Sequence, residues 1–106
     1  MAINLRQLLL DARNGLSQVY GDRLKGMYLY GSYARGEADA ESDVDILVVL
    51  DRIEDYGEEM DRPGAVVSGA SLRYGVSISR VFVSEQDWKR KDTFLLANAR
   101  AEAVPA

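Results

Sequence analysis

Residues 31–50 read GSYARGEADAESDVDILVVL, and this stretch decides the fold. Its second half, Asp43–Leu50, is β-branched and almost wholly apolar after two acids. Such a run suggests a central strand covered on both faces, because a strand with one wet face alternates instead. On that strand Asp43 and Asp45 leave the same face, with Cα atoms roughly 6–7 Å apart, while Val44 and Ile46 point the other way. Two adjacent carboxylates repel each other and cost desolvation energy unless something positive sits between them. Mg2+ suits the pair, since it takes hard oxygen ligands and completes its shell with water and substrate phosphate. An exposed strand start would also accommodate both acids.

Upstream, Met27–Tyr30 reads as a short strand that stops at Gly31, and ten residues separate Ser32 from Asp43. A glycine there lets the chain turn sharply and lets backbone N–H groups approach a phosphate, and the serine adds a hydroxyl donor. Gly31-Ser32 alone is an ordinary turn. The joint pattern of strand, Gly-Ser, ten residues and Asp-Val-Asp on an apolar strand is far more specific.

The flanks supply the rest of an α/β domain. Residues 4–20 form an amphipathic pattern, with Leu5, Leu8, Leu9, Ala12, Leu16, Val19 and Tyr20 on the helical period, Asn4 as cap and Gly21 as stop. The acidic segment Glu54–Asp61 reads as a solvated loop. Pro63 opens a helix that Gly75 ends, Val76–Val83 alternates as a strand, and Ser84 caps a short helix with Asp87 three residues on. A last helix is expected over Thr93–Glu102, and Trp88 and Phe94 read as core despite the basic Lys89, Arg90 and Lys91 beside them. The order predicts one domain over residues 1–106, a small mixed sheet backed by helices.

Composition removes whole classes of chemistry. There is no cysteine and no histidine, so disulfides, thiol nucleophiles, Cys/His zinc sites and imidazole bases are excluded together. Net charge is −4, and residues 37–61 hold eleven of the seventeen acids against one basic residue, Arg52. A protein that coats nucleic acid carries a basic stripe, so nucleic acid is not the expected partner. No apolar run approaches the ~20 residues of a membrane span, and MAINLRQLLLDAR lacks the apolar stretch of a signal peptide. The expected location is cytoplasmic, away from membranes.

GSYARGEADAESDVDILVVL resembles the signature of the nucleotidyltransferase superfamily related to DNA polymerase β, most closely its small stand-alone branch, the minimal nucleotidyltransferases. Gly31, Ser32, Ala34, Arg35, Gly36, Ser42, Asp43 and Asp45 carry the resemblance. LRYGVSISRVFVSEQDW and FLLANARAEAV extend it more weakly. The resemblance implies that Gly31 and Ser32 hold the β- and γ-phosphates of ATP or another nucleoside triphosphate. It implies that Asp43 and Asp45 bind one or two Mg2+ ions and serve in-line attack on the α-phosphate with release of pyrophosphate. Arg35 is either a phosphate or nucleotide contact or an ion-pair partner of the acids in 37–41. Ser42 caps or orients the strand start.

One departure stands out. The family's third carboxylate belongs on a later strand, and Val76–Val83 offers Ser77, Ser79 and Arg80 but no acid. Glu85, just beyond, reads as favouring a helix start. The resemblance therefore implies one of two functions. The first is a Mg2+-dependent transferase moving AMP from ATP to a partner protein, as the antitoxin that modifies a tyrosine of a HEPN-type toxin. The second is a non-catalytic binding module of the same fold that neutralises a toxin or scaffolds a complex. With 106 residues leaving no room for an acceptor-choosing domain, the acceptor is expected from a partner or from self-association as a homo-oligomer.

Overall fold

The computed structural model describes residues 4–39, 41–90 and 104–106. Helix α1 spans Leu5–Tyr20, with the Asn4 side chain accepting from Gln7 N–H and Gly21, at φ 56°, ending it. After a 3-10 turn at Gly21–Arg23 come strand β1 (Leu24–Tyr30), the short helix α2 (Gly31–Arg35) and strand β2 (Val44–Leu50). Helices α3 (Tyr56–Asp61) and α4 (Gly64–Tyr74) lead to strand β3 (Ile78–Ser84), helix α5 (Glu85–Arg90) and strand β4 (Val104–Pro105). No described helix is long and apolar enough to cross a membrane. The helix expected over Thr93–Glu102, with Phe94, lies outside the described residues.

The four strands form one mixed sheet in the order β3-β2-β1-β4. β2 pairs antiparallel with β1 and parallel with β3, and β4 lies antiparallel on the other side of β1. The hydrophobic run of β2 is therefore covered twice. Val44, Ile46, Val48 and Leu50 pack with Leu8, Ala12, Leu16 and Tyr20 of α1, whereas Leu47 and Val49 pack with Val83 and Trp88 on the opposite face. Trp88 is buried against Tyr28, with ring centroids 4.8 Å apart. Each fully buried aliphatic side chain contributes ~1.5–3 kcal/mol, so this strand anchors both layers.

Three expectations shift. β1 begins at Leu24 rather than Met27, because pairing with β2 carries it through a register irregularity between Leu24 and Gly26. β4 adds a fourth strand, two residues long and closed by Ala106 N–H donating to Met27 O, that no local pattern announces. The segment 54–61 is a correction: it is not a loop throughout, since α3 occupies 56–61 and Glu59 is only 4% exposed. Asp55 caps α3 by accepting from Glu58 N–H, and the Glu59 carboxylate meets Arg23 at 3.3 Å and Arg62 at 3.4 Å. A buried carboxylate needs such partners, and neither arginine lies within the acidic window.

Tyr20 ties α1 to α3 by donating its hydroxyl to Glu59 O at 3.0 Å, with its ring 6.2 Å from Phe82. Burial, helped by the negative charge of Glu59, pushes its phenol up from 10.0 to about 12. The unfolded chain then ionises first as pH rises. Folding stability is expected to be independent of this group below pH 10 and to decline between pH 10 and about 12. Urea unfolding across that range should show the decline in the wild type and a flatter profile in Tyr20→Phe.

Candidate active site

The candidate residues converge where β1 ends and β2 begins. Tyr30, the last residue of β1, is the register partner of Asp45, and Gly31 follows at φ 76°. That left-handed conformation is open to glycine and costly for other residues. Space imposes the same requirement, because a Cβ on Gly31 would stand 2.2 Å from Asp45 Oδ2. Gly31 thus lets the backbone turn against the Asp45 carboxylate with no side chain between them.

From Gly31 the chain makes one short helix. Gly36, at φ 72°, ends it, and the N–H of Glu37 returns to Ser32 O at 2.9 Å. Arg35, 44% exposed, pairs through Nε with Glu37 Oε2 at 3.0 Å. Of the two uses open to Arg35, the structure has it on an acid. Ser42 closes the following turn: its Oγ accepts from Asp39 N–H at 2.9 Å and donates to Asp39 Oδ1 at 3.2 Å. Ser42 therefore fastens the chain before β2, the orienting role read from the sequence.

Asp43 sits one residue before β2, exposed, and its carboxylate makes no hydrogen bond or ion pair with a described residue. Val44 N–H donates to Ser77 O at 2.9 Å, which fixes the strand start against the approach to β3. Asp45 is partly buried in a row across the sheet, between Tyr30 of β1 and Ser79 of β3. Next on the same face come Tyr28, Leu47 and Val81, so the row of Asp45 is where that face changes from apolar to polar. Among the described residues no group of three or more carboxylates gathers. The strand position beside Asp45 is a serine. Sequence reading found β3 and its lack of an acid, but the register that puts Ser79 beside Asp45 depends on strand pairing.

The donor set consists of hard oxygens, two carboxylates and a neighbouring hydroxyl, as a magnesium ion requires. The close approach of the Gly31 backbone to Asp45 Oδ2 places that carboxylate at the same junction. Gly31→Ala is expected to lower stability by at least ~1–2 kcal/mol from its backbone conformation, with the clash on Asp45 added. Gly36→Ala, where an added Cβ meets nothing within 4 Å, should cost only the conformational part. Denaturant midpoints of both variants, and of Gly31→Ala combined with Asp45→Ala, test this. The double variant should recover the clash contribution.

Comparison with known proteins gives the family and the fold. The nucleotidyltransferase domain signature matches residues 11–96. A protein of Methanocaldococcus jannaschii named "putative protein adenylyltransferase" is 35% identical over 89 residues, covering 84% of this chain and 83% of that protein. A second of the same name and organism is 32% identical over 75 residues, covering 71% and 75%. The fold is shared with a crystal structure of a toxin-antitoxin with AMP-PNP, at TM-score 0.63 and 17% identity over 97% of this chain and 72% of that one. A structure described as a "putative minimal nucleotidyltransferase" gives TM-score 0.59 and 23% identity over 98% and 97%. The signature over residues 11–96 encloses the Gly31–Asp45 junction, and with relatives this similar over most of both chains, the protein belongs to the nucleotidyltransferase domain family.

Proposed function

We propose that the protein is a Mg2+-dependent nucleotidyltransferase that moves AMP from ATP to a side chain of a partner protein. The observation that carries this reading is the Gly31 junction, which turns the backbone against the Asp45 carboxylate two residues beyond Asp43. The relatives named as protein adenylyltransferases support the reaction, and the toxin-antitoxin of shared fold supports a protein partner. In this reading the chain is the antitoxin of a toxin–antitoxin pair, and a HEPN-type toxin is the acceptor.

Asp43 and Asp45 would hold the metal ion, and Gly31 and Ser32 would receive the β- and γ-phosphates through backbone N–H and hydroxyl groups. A bound Mg2+ supplies neutralisation of the triphosphate and of the charge that develops on the α-phosphate. The acceptor oxygen bonds to the α-phosphorus as the bond to pyrophosphate breaks, and the chain's task is to keep these groups in line. Arg35, exposed beside the junction, would offer its guanidinium to a phosphate.

With Ser79 beside Asp45, that strand position offers the acceptor's proton no carboxylate, and in this reading the proton passes to water. Lack of a general base costs ~10²–10⁴-fold, so slow transfer is expected. The same serine favours a second reading, a binding module that neutralises its partner without reaction.

Incubation with Mg2+, ATP labelled at the α-phosphate and the protein encoded beside it should label that protein. Asp43→Asn combined with Asp45→Asn should abolish the label. Label that persists in the double variant would refute the assigned site, whereas neutralisation of the partner by an unreactive double variant would favour the binding module. Mg2+ with ATP should also raise the melting temperature. At a hundredfold excess over Kd the gain is ~2.7 kcal/mol, at least several degrees for a chain of this size. No shift is expected in Asp45→Asn.

A further inference from the structure

We propose that Ser79 is the third protein group of this site, a positioning residue whose hydroxyl holds water of the ion's hydration shell beside Asp45. The inference rests on the reading of Asp43 and Asp45 as metal ligands. Three observations lead to it. Ser79 is the register partner of Asp45 in the parallel β2–β3 pair, so both side chains leave the same face, on strands about 4.8 Å apart.

The next pairs along that face, Leu47 with Val81 and Val49 with Val83, are apolar and pack with Trp88 and its neighbours. A β-branched residue at 79 would continue the pattern and suit a strand better than serine does. The polar residue instead coincides with the one row that contains a carboxylate.

The third observation concerns satisfaction of the hydroxyl. Ser79 is partly buried, and its hydroxyl makes no hydrogen bond with a described residue. A half-buried hydroxyl at the rim of an apolar face takes water as its partner. Beside the Asp45 carboxylate, such a water would belong to the shell of a hydrated divalent ion held there. Mg2+ and Mn2+ keep several waters, and protein groups that hydrogen-bond to the coordination shell typically contribute 10–100-fold to affinity.

The test is Mn2+ binding, read from loss of the free-ion EPR signal, which requires neither ATP nor turnover. Ser79→Val keeps a β-branched strand residue without the hydroxyl and is expected to weaken binding at least about tenfold. Ser79→Thr keeps the hydroxyl that holds the water and should bind within about twofold of wild type. Ser79→Asp adds a charge on the same face and should tighten binding. Thermal melts check that each variant folds, and Ser79→Ala replaces Ser79→Val if that variant does not. Wild-type affinity in a folded Ser79→Val, whatever Ser79→Asp does, overturns the role of Ser79 alone. Absence of Mn2+ binding in the wild type, or undiminished binding in Asp43→Asn with Asp45→Asn, overturns the metal reading beneath it.

Discussion

At the end of β1 no side chain fits between the backbone and Asp45, because a Cβ on Gly31 would stand 2.2 Å from Oδ2 and the backbone there has φ 76°. This close approach ties together features that otherwise look separate. It ends β1, starts α2, and sets the Asp45 carboxylate against the turn at the rim of the sheet. It holds only while β1 and β2 keep their antiparallel register, in which Tyr30 faces Asp45. That register is secured by the burial of β2 on both faces, by α1 on one side and Trp88 on the other. A one-residue slip would turn Asp45 into the α1 core and Val44 or Ile46 out of it, so packing specifies the site as firmly as it specifies the fold.

The acids divide between the two ends of β2. Asp39, Glu41, Asp43 and Asp45 lie at its start, whereas Asp51, Glu54, Asp55, Glu58 and Glu59 lie beyond its other end, about 20 Å away along a seven-residue strand. At the far end Arg23 meets Asp51 and Glu59, Arg62 meets Glu58 and Glu59, and Arg52 meets Glu54. Four of those five acids thus have an arginine partner. Asp43, by contrast, has no basic partner among the described residues, while Arg35 at this end meets Glu37.

These particulars show which parts of the molecule the sequence discloses. Asp43–Leu50 was legible because a strand buried on both faces must be apolar throughout, and Asn4, Gly21, Ser84 and Gly75 mark helix ends by local chemistry. The signature residues were legible because Gly31 answers a steric demand that no other side chain meets. What escaped depends on partners distant in sequence. α3 looks like loop in the sequence because its acids suit water until Arg23 and Arg62 arrive from outside the segment. β1 was read short because Leu24–Gly26 owe their strand state to β2, and β4 is a strand only by virtue of β1. Ser79 was noted as a missing acid, but its place beside Asp45 follows from a parallel register that periodicity does not encode.

The central claim is that the Gly31–Asp45 junction, rather than the acid-rich far end, binds a metal-bound nucleotide. Amide-resolved NMR with substoichiometric Mn2+ and a non-hydrolysable ATP analogue tests it most directly, because paramagnetic broadening falls off steeply with distance from the ion. The account predicts broadening centred on Gly31, Ser32, Asp43, Val44 and Asp45, extending across the sheet to Ser79, and lost in Asp45→Asn. Broadening centred on Asp51–Asp61, or unchanged in Asp45→Asn, would contradict it.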